Sequence, residues 1–427
     1  MHLLIYRTLK ALLSPIIFLV VAWRAFRGRE DRENFPERRG IASQARPAGP
    51  LLWVHGASVG EVISTQPMLK EIRRRNPTLN LLLTTGTTTG RKMLHKTAAM
   101  LPGTGTTCVQ YAPLDTMGAT SAFIRHWQPQ VSVFTESDFW PELLSKAPSP
   151  ILLNGRISDR SWPRYLRWSW FFRPLISRFI LVLAQRQTDA DRLEALGAKN
   201  VIVSGNLKFD ADALNVDQTQ LDKFLQALQG RPVLVAASTH PGEEALVAQI
   251  HATLKPSVPG LLTIIVPRHP HRGTQAANEV ARFTKSVKRR GLGEMPVLGG
   301  NRHTDIYIAD SLGELGLWYR IATVALIGGS LVRHGGHNPL EPLKLGIPTL
   351  TGPHMFNFKD MLPILRESSL VHTAPDMPTL TRTLQRLFTN QAELDKLRSN
   401  ITTLMPRFSG PSATAAERIL ALVPTTY

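Results

Sequence analysis

Cysteine is almost absent from this chain. The one residue, Cys108, excludes an internal disulfide and a cysteine-built zinc site, and it fits a reducing compartment. Acidic residues are scarce too: 32 Asp plus Glu stand against 50 Lys plus Arg, a formal charge of +18. Such a balance attracts polyanions, whether nucleic acid, an anionic bilayer face or phosphorylated small molecules, and charge alone does not choose among them. Neither a Walker lysine motif nor a G-x-G-x-x-G fingerprint is present, which weakens kinase and dehydrogenase readings. Short-period repeats and low-complexity tracts are missing, and a hydrophobic content of 43% argues against disorder.

What is present begins with length. A chain of 427 residues should hold two or three domains, since single cores stop growing near ~250–300 residues. Ala11 to Trp23 runs thirteen residues without a charge, short of the roughly 20 apolar residues of a comfortable span. Arg7, Lys10 and Ser14 share one helix face there, which suits an interfacial helix or a tilted span. The bulky, basic residues Trp23 to Arg27 lack the small-x-small pattern of a cleaved signal peptide. Arg24, Arg27, Arg29 and Arg32 outnumber Arg7 and Lys10, so the positive-inside rule places the rest of the chain in the cytoplasm. We therefore expect a membrane-anchor helix over residues 1–23 and a basic, Gly/Pro-containing linker over 24–50. A second segment, Ser161 to Phe179, interleaves aromatic rings with arginines, as either a headgroup-contacting surface or an ordinary amphipathic helix packed on a sheet.

Short apolar runs then alternate with longer helical stretches. Leu51–Val54, Leu81–Thr84, Val131–Phe134, Ile151–Leu153, Ile180–Leu183 and Val201–Val203 read as strands buried on both faces, the mark of a parallel sheet. After a polar stretch from Asp210 to Gly230 the pattern restarts with Val233–Ala236, Leu262–Val266, Ile306–Ala309, Val324–Ile327 and Pro348–Leu350. The expected fold class is α/β, with two doubly wound Rossmann-like domains facing each other across a cleft, covering 51–209 and 210–427. Ligands of such sheets bind beyond the carboxyl ends of the strands, so chemistry belongs in the loops that follow these runs.

Those loops carry the unusual residues. The first run leads into WVHGASVGE, where Glu61 at a helix start either takes a proton from an acceptor hydroxyl or merely complements the helix dipole. TTGTTTGR follows the second run and resembles an anion-binding helix start or a plain N-cap. Glu136 in TESDFWP follows a buried strand directly, suited either to position the acceptor or to oppose positive charge at a reacting carbon. NGRISDRS lines the same rim, and Lys208 in GNLKFD stands where it could meet phosphate or carboxylate. In the second half, PRHPHR places Arg268 and His269 after a buried strand, and a guanidinium fork suits phosphate. His269 and His271 have no third histidine or acidic partner at recognisable metal-site spacing, so no metal is expected. GGSLVRHGGHNPLEP supplies glycine pairs whose backbone N–H groups can cradle a phosphate, with Glu341 placed to meet ribose hydroxyls.

Taken in this order over nearly the whole chain, these motifs resemble the Kdo transferases of lipopolysaccharide synthesis, which have the two-Rossmann GT-B fold. The resemblance implies transfer of the acidic eight-carbon sugar Kdo from CMP-Kdo to the lipid A precursor, lipid IVA or Kdo-lipid IVA. The implied step inverts the anomeric centre without a glycosyl-enzyme intermediate, cofactor or catalytic metal. It makes Glu61 the general base, and Glu136 and Lys208 the stabilisers of the transition state. Arg268, His269, the turn Ala309, Asp310 and Ser311, and Gly335, Gly336, His337 and Asn338 match the CMP-binding segments, with Glu341 on the ribose. It also makes 51–209 the acceptor-binding domain and 210–427 the donor-binding domain, with the last helix free to pack back on the first. Inner-membrane lipids on the cytoplasmic face become the expected surroundings, and nucleic acid is not an expected partner. Two other readings remain: another GT-B transferase with a different nucleotide sugar on a lipid or polyol acceptor, and a membrane-tethered polyanion-binding protein. The second predicts salt-sensitive nucleic-acid binding and leaves the ordered motifs unexplained.

Overall fold

The computed structural model describes residues 6, 23, 27, 31–297, 303–359 and 361–424. Most of the expected anchor helix over 1–23 lies outside these residues. Among the described residues, no helix is long and apolar enough to cross a membrane.

The chain forms two compact units, Met1–Ala211 with Phe408–Tyr427, and Asp212–Arg407. The first contains seven parallel strands: β1 (Leu51–Gly56), β2 (Asn80–Thr85), β3 (Thr107–Tyr111), β4 (Val131–Thr135), β5 (Pro150–Gly155), β6 (Leu181–Ala184) and β7 (Val201–Val203). Their order is β3-β2-β1-β4-β5-β6-β7, so the sheet reverses direction of growth between β1 and β4. Leu51 and Trp53 enter the core on one face, while Leu52 and Val54 enter the core on the other. The period-two alternation of a strand explains this division, and two helical layers explain why neither face needs polar residues.

The second unit repeats the plan with β8 (Val233–Thr239), β9 (Leu262–Pro267), β10 (Val287–Arg289), β11 (Ile306–Ile308), β12 (Val324–Ile327), β13 (Thr349–Thr351) and β14 (Val371–Thr373). The order is β10-β11-β9-β8-β12-β13-β14, all parallel, with its switch between β8 and β12. Leu234 and Ala236 pack on one side, and Val233, Val235 and Ala237 on the other.

Three strands carried no apolar signature in the sequence. β3 reads TCVQY, β10 VKR and β14 VHT, and all three lie at sheet edges, where one side needs no neighbour and polar residues are tolerated. The segment expected as a linker is also more ordered than its composition suggested. Phe35–Arg38 forms a helical turn in which Glu37 and Arg38 are buried. Glu37 pairs with Arg91 and accepts the Tyr111 amide, so a buried charge is compensated as burial requires. At the other end, the helix Pro411–Leu420 lays Ala415, Ala416 and Ile419 into the core of the first unit beside Val62, Met68 and Leu69. Asp210 fixes its start by accepting the amides of Gly410 and Ser412 at 2.8 and 2.5 Å.

Candidate active site

In the first unit the loops after β1 and β4 converge at the switch point, where open α/β sheets place their ligands. Ser58 caps the helix Val59–Arg75 by accepting the Glu61 amide, and the Glu61 side chain turns back over the same loop. Oε1 accepts the Ser58 hydroxyl at 2.8 Å, and Oε2 accepts the Ala57 amide at 3.0 Å. The fully buried Thr135 hydroxyl at the end of β4 lies 2.6 Å from Oε2. Burial raises the Glu61 pKa above the usual carboxylate value and Glu136 adds to the rise, while the donors from Thr135, Ser58 and Ala57 pull it back. A carboxylate so held is a better proton acceptor than one in free solution, and its oxygens are fixed in direction.

Thr135 also lies 3.1 Å from the His55 carbonyl oxygen, yet its hydroxyl has one proton. An ionised Glu61 draws that proton. A protonated Glu61 donates to the hydroxyl instead, which then turns to His55. Beneath this pair, His55 is clamped by Asp138 at 2.9 Å through Nε2 and by Thr84 at 2.9 Å through Nδ1.

Glu136 follows Thr135 in a left-handed backbone conformation, φ 56°, uncommon for a residue other than glycine. It accepts a bond from Lys208 Nζ at 3.1 Å, so the two residues that the sequence placed 72 positions apart are brought together. Lys208 is positioned by polar groups of β5 and of the residue that follows β6. Asn206 caps its amide and donates to Gln185, and Asn154 accepts the Leu207 amide.

In the second unit the loops after β8 and β12 meet at the other switch point. The buried Glu243 carboxylate joins them by accepting the amides of His240, Gly329 and Leu331 at 2.9, 2.6 and 2.9 Å. Burial raises its pKa despite these three donors. The loop continues through Gly335 and Gly336 at φ 106° and 73°, where a Cβ would strike Asn357 and Met355. That path carries His337 to His240, with the two Nε2 atoms 2.8 Å apart and the rings parallel. His334 stacks on His240 at 3.5 Å, and His269 stands edge-on to it at 6.4 Å. Burial, followed by neighbouring positive charge, pushes His240 and His337 down to about 4, so both rings are neutral at physiological pH.

Glu341 is raised to about 7, chiefly by burial, with Asn338 and Arg268 opposing the rise. Arg268, His269, His337, Asn338 and Glu341 thus share one electrostatic neighbourhood. The turn Ala309, Asp310, Ser311 is engaged differently. Ala309 is buried, Asp310 pairs with Arg289 at 2.7 Å and accepts the Gly291 amide, and Ser311 bonds Glu314. Sequence reasoning passed over Thr135, His240 and His334. His240 could have been found only by placing the end of β8 at the switch point, and the sequence gives no spacing rule that links it to His337.

The segment Ser161 to Phe179 forms the helices Trp162–Arg167 and Ser169–Ile176. Tyr165, Leu175, Ile176 and Phe179 are buried against the sheet, while Leu166, Trp168 and Trp170 remain 48%, 49% and 48% exposed. One face therefore packs on the sheet as an amphipathic helix would, and the other presents aromatic rings among exposed arginines.

Comparisons with known proteins bear on both units. The family model for 3-deoxy-D-manno-octulosonic-acid transferase (kdotransferase) matches residues 33–211. A 3-deoxy-D-manno-octulosonic acid transferase of Haemophilus influenzae is 32% identical over 405 residues, covering 92% of each chain. The enzyme of that name from Bordetella pertussis is 33% identical over 377 residues, covering 86% of this chain and 87% of the relative. Among solved structures, UDP-GlcNAc 2-epimerase from Neisseria meningitidis bound to UDP-GlcNAc superposes with a TM-score of 0.57 at 13% identity, over 88% of this chain and 99% of that one. At that identity the likeness concerns the fold alone.

Proposed function

The chain belongs to the 3-deoxy-D-manno-octulosonic acid (Kdo) transferases, and from that premise we propose how its residues divide the reaction. It is a glycosyltransferase that transfers Kdo in lipopolysaccharide synthesis. In our reading the acceptor is lipid IVA or Kdo-lipid IVA, the donor is CMP-Kdo, and the step is a direct displacement that inverts the anomeric centre.

Glu61 takes the proton from the attacking hydroxyl of the acceptor, which bonds to the Kdo anomeric carbon as the bond to CMP breaks. The observation that carries this role is the fixed, partly desolvated carboxylate at the first switch point, with its pKa raised and three donors setting its direction. As the proton arrives, Thr135 can redirect its own hydroxyl to the His55 carbonyl, so the transfer leaves no buried donor unpaired. Lys208, held by Glu136, supplies positive charge as the leaving phosphate gains negative charge. Arg268 and the loop Gly335 to Asn338, with His269 beside it, are assigned to the CMP phosphate, and Glu341 to the ribose. Ala309, Asp310 and Ser311 form the remaining edge of the donor segment, their side chains already engaged. Cationic side chains do the charge stabilisation here, so we read the reaction as independent of cofactor and metal.

We also propose that the first residues anchor the enzyme at the cytoplasmic face of the inner membrane. The exposed Trp168 and Trp170 with their arginines support a membrane-facing surface there. The reading is tested by incubating the protein with CMP-Kdo made in situ and the tetraacyl lipid A precursor. Product supports it, and the number of sugars added is read from the product mass. No product from a folded protein that still binds CMP points to another acceptor. Protection by UDP but not by CMP against thermal unfolding would replace the donor.

A further inference from the structure

We propose that His240, His334 and His337 form a binding site for a borderline transition-metal ion such as Zn2+, and that this ion and the CMP donor exclude one another. The three imidazoles offer ligand nitrogens that lie within 4.8 Å of one another. In a tetrahedral zinc site with Zn–N bonds of about 2.0–2.1 Å, neighbouring ligand nitrogens are about 3.4 Å apart. The His240 and His337 Nε2 atoms, at 2.8 Å, need to part by a fraction of an ångström to reach it. His334 is exposed, so its ring can turn about its own side-chain bonds to complete the set and leaves a way in for the ion.

The site is held from below. Glu243 ties the His240 amide to those of Gly329 and Leu331, and a Cβ on Gly329 would come within 3.3 and 3.4 Å of the His337 and His240 rings. Two Nε2 atoms 2.8 Å apart have room for only one hydrogen between them, so at least one presents a lone pair. A metal ion takes the place of that hydrogen, which moves to Nδ1 of the same ring, and uses both Nε2 lone pairs. Nitrogen ligands without a carboxylate select Zn2+, Co2+, Ni2+ or Cu2+ over Mg2+ and Ca2+. Arg272, a buried cation felt by His240, is neutralised by Glu244 at 2.8 Å, while the exposed Arg268 opposes the ion and keeps the site weaker than a structural zinc centre.

Metal binding stands on this geometry alone. Exclusion of the donor rests on the assignment of the Gly335 to Asn338 loop to the CMP phosphate, because His337 cannot turn its nitrogen to a metal and serve a phosphate at the same point. Zinc would then inhibit transfer by competing with the donor.

The test uses the full chain freed of any affinity tag. Zn2+ is titrated calorimetrically and Co2+ by its visible absorption, each with and without CMP. One ion per chain is expected, with the absorption of a nitrogen-ligated, low-coordinate Co2+. Outer-sphere partners alone are worth about 10–100-fold in metal affinity, so His334→Ala and His240→Gln should each weaken binding by at least about tenfold. No saturable binding, or wild-type affinity in both folded variants, overturns the site. CMP should raise the apparent Kd for Zn2+; an unchanged or lowered Kd with CMP bound overturns the exclusion. Failure of CMP to bind at all removes the donor assignment and the exclusion with it, while the titrations decide the metal site separately.

Discussion

Replacing Thr135 with valine removes one hydroxyl from a fully buried side chain and keeps its shape. The lost group lies 2.6 Å from Glu61 Oε2, where it bonds a charged carboxylate. Hydrogen bonds to charged groups contribute about 1.5–3 kcal/mol, and one pKa unit corresponds to about 1.4 kcal/mol. Loss of the bond disfavours the ionised form, so the Glu61 pKa should climb by a further one to two units, by the same conversion. Glu61 acts as a base only when ionised. The rising limb of kcat/KM against pH, measured with CMP-Kdo and the tetraacyl acceptor, should therefore move to higher pH by about that amount. Thr135→Ser keeps the hydroxyl and should hold the limb in place. A folded Thr135→Val enzyme whose limb does not move would refute the coupling between Thr135 and Glu61, whatever happens to its overall rate.

Other consequences follow from the same contacts. Asn206→Ala removes the cap on the Lys208 amide and the bond to Gln185, so unfolding should become easier by about 1 kcal/mol and kcat should fall while CMP affinity holds; unchanged kcat would free Lys208 from this support. Glu341 titrates near 7 in the folded chain against an ordinary 4.5, so the folded state holds its proton longer and stability falls as pH rises from 4.5 to 7. The loss is about 3 to 4 kcal/mol at most, and Glu341→Gln should remove it from denaturant melts across this range; identical pH dependence in both proteins would contradict the role given to burial. Changing Trp168 and Trp170 together to alanine should leave circular dichroism unchanged and weaken binding to phosphatidylglycerol vesicles at least tenfold, since each ring offers about 1–2 kcal/mol of apolar area. Unaltered vesicle binding would assign the membrane contact elsewhere.

Most of the two-sheet plan was legible because central parallel strands are buried on both faces and must be apolar throughout. Leu51–Val54 and Val233–Ala236 announce themselves for that reason. The edge strands β10 and β14 did not, because they are three residues long and mostly half-buried, and β3 did not because Thr107 and Gln110 interrupt its apolar run although the strand is buried. Glu61, Glu136 and Lys208 were legible as carboxylate and ammonium groups directly following strand or turn signals. Thr135 was not, since a threonine ending a β-branched strand looks like any other strand residue. The histidine cluster was hidden more deeply. Its members come from loops 97 residues apart that only the strand order β8-β12 brings together. A spacing rule looks along the chain and found only His269 and His271, which stack on each other at 5.6 Å.

Glu61 as proton acceptor is the central claim, and Glu61→Gln addresses it most directly, because the amide keeps the size of the side chain and can still accept the Thr135 hydroxyl. With CMP-Kdo and the tetraacyl lipid A precursor, the variant should bind CMP as the wild type does and lose transfer by about 10²–10⁴-fold, the usual worth of a general base. Transfer within a few-fold of wild type by the folded variant would contradict the account and leave the acceptor proton to another group.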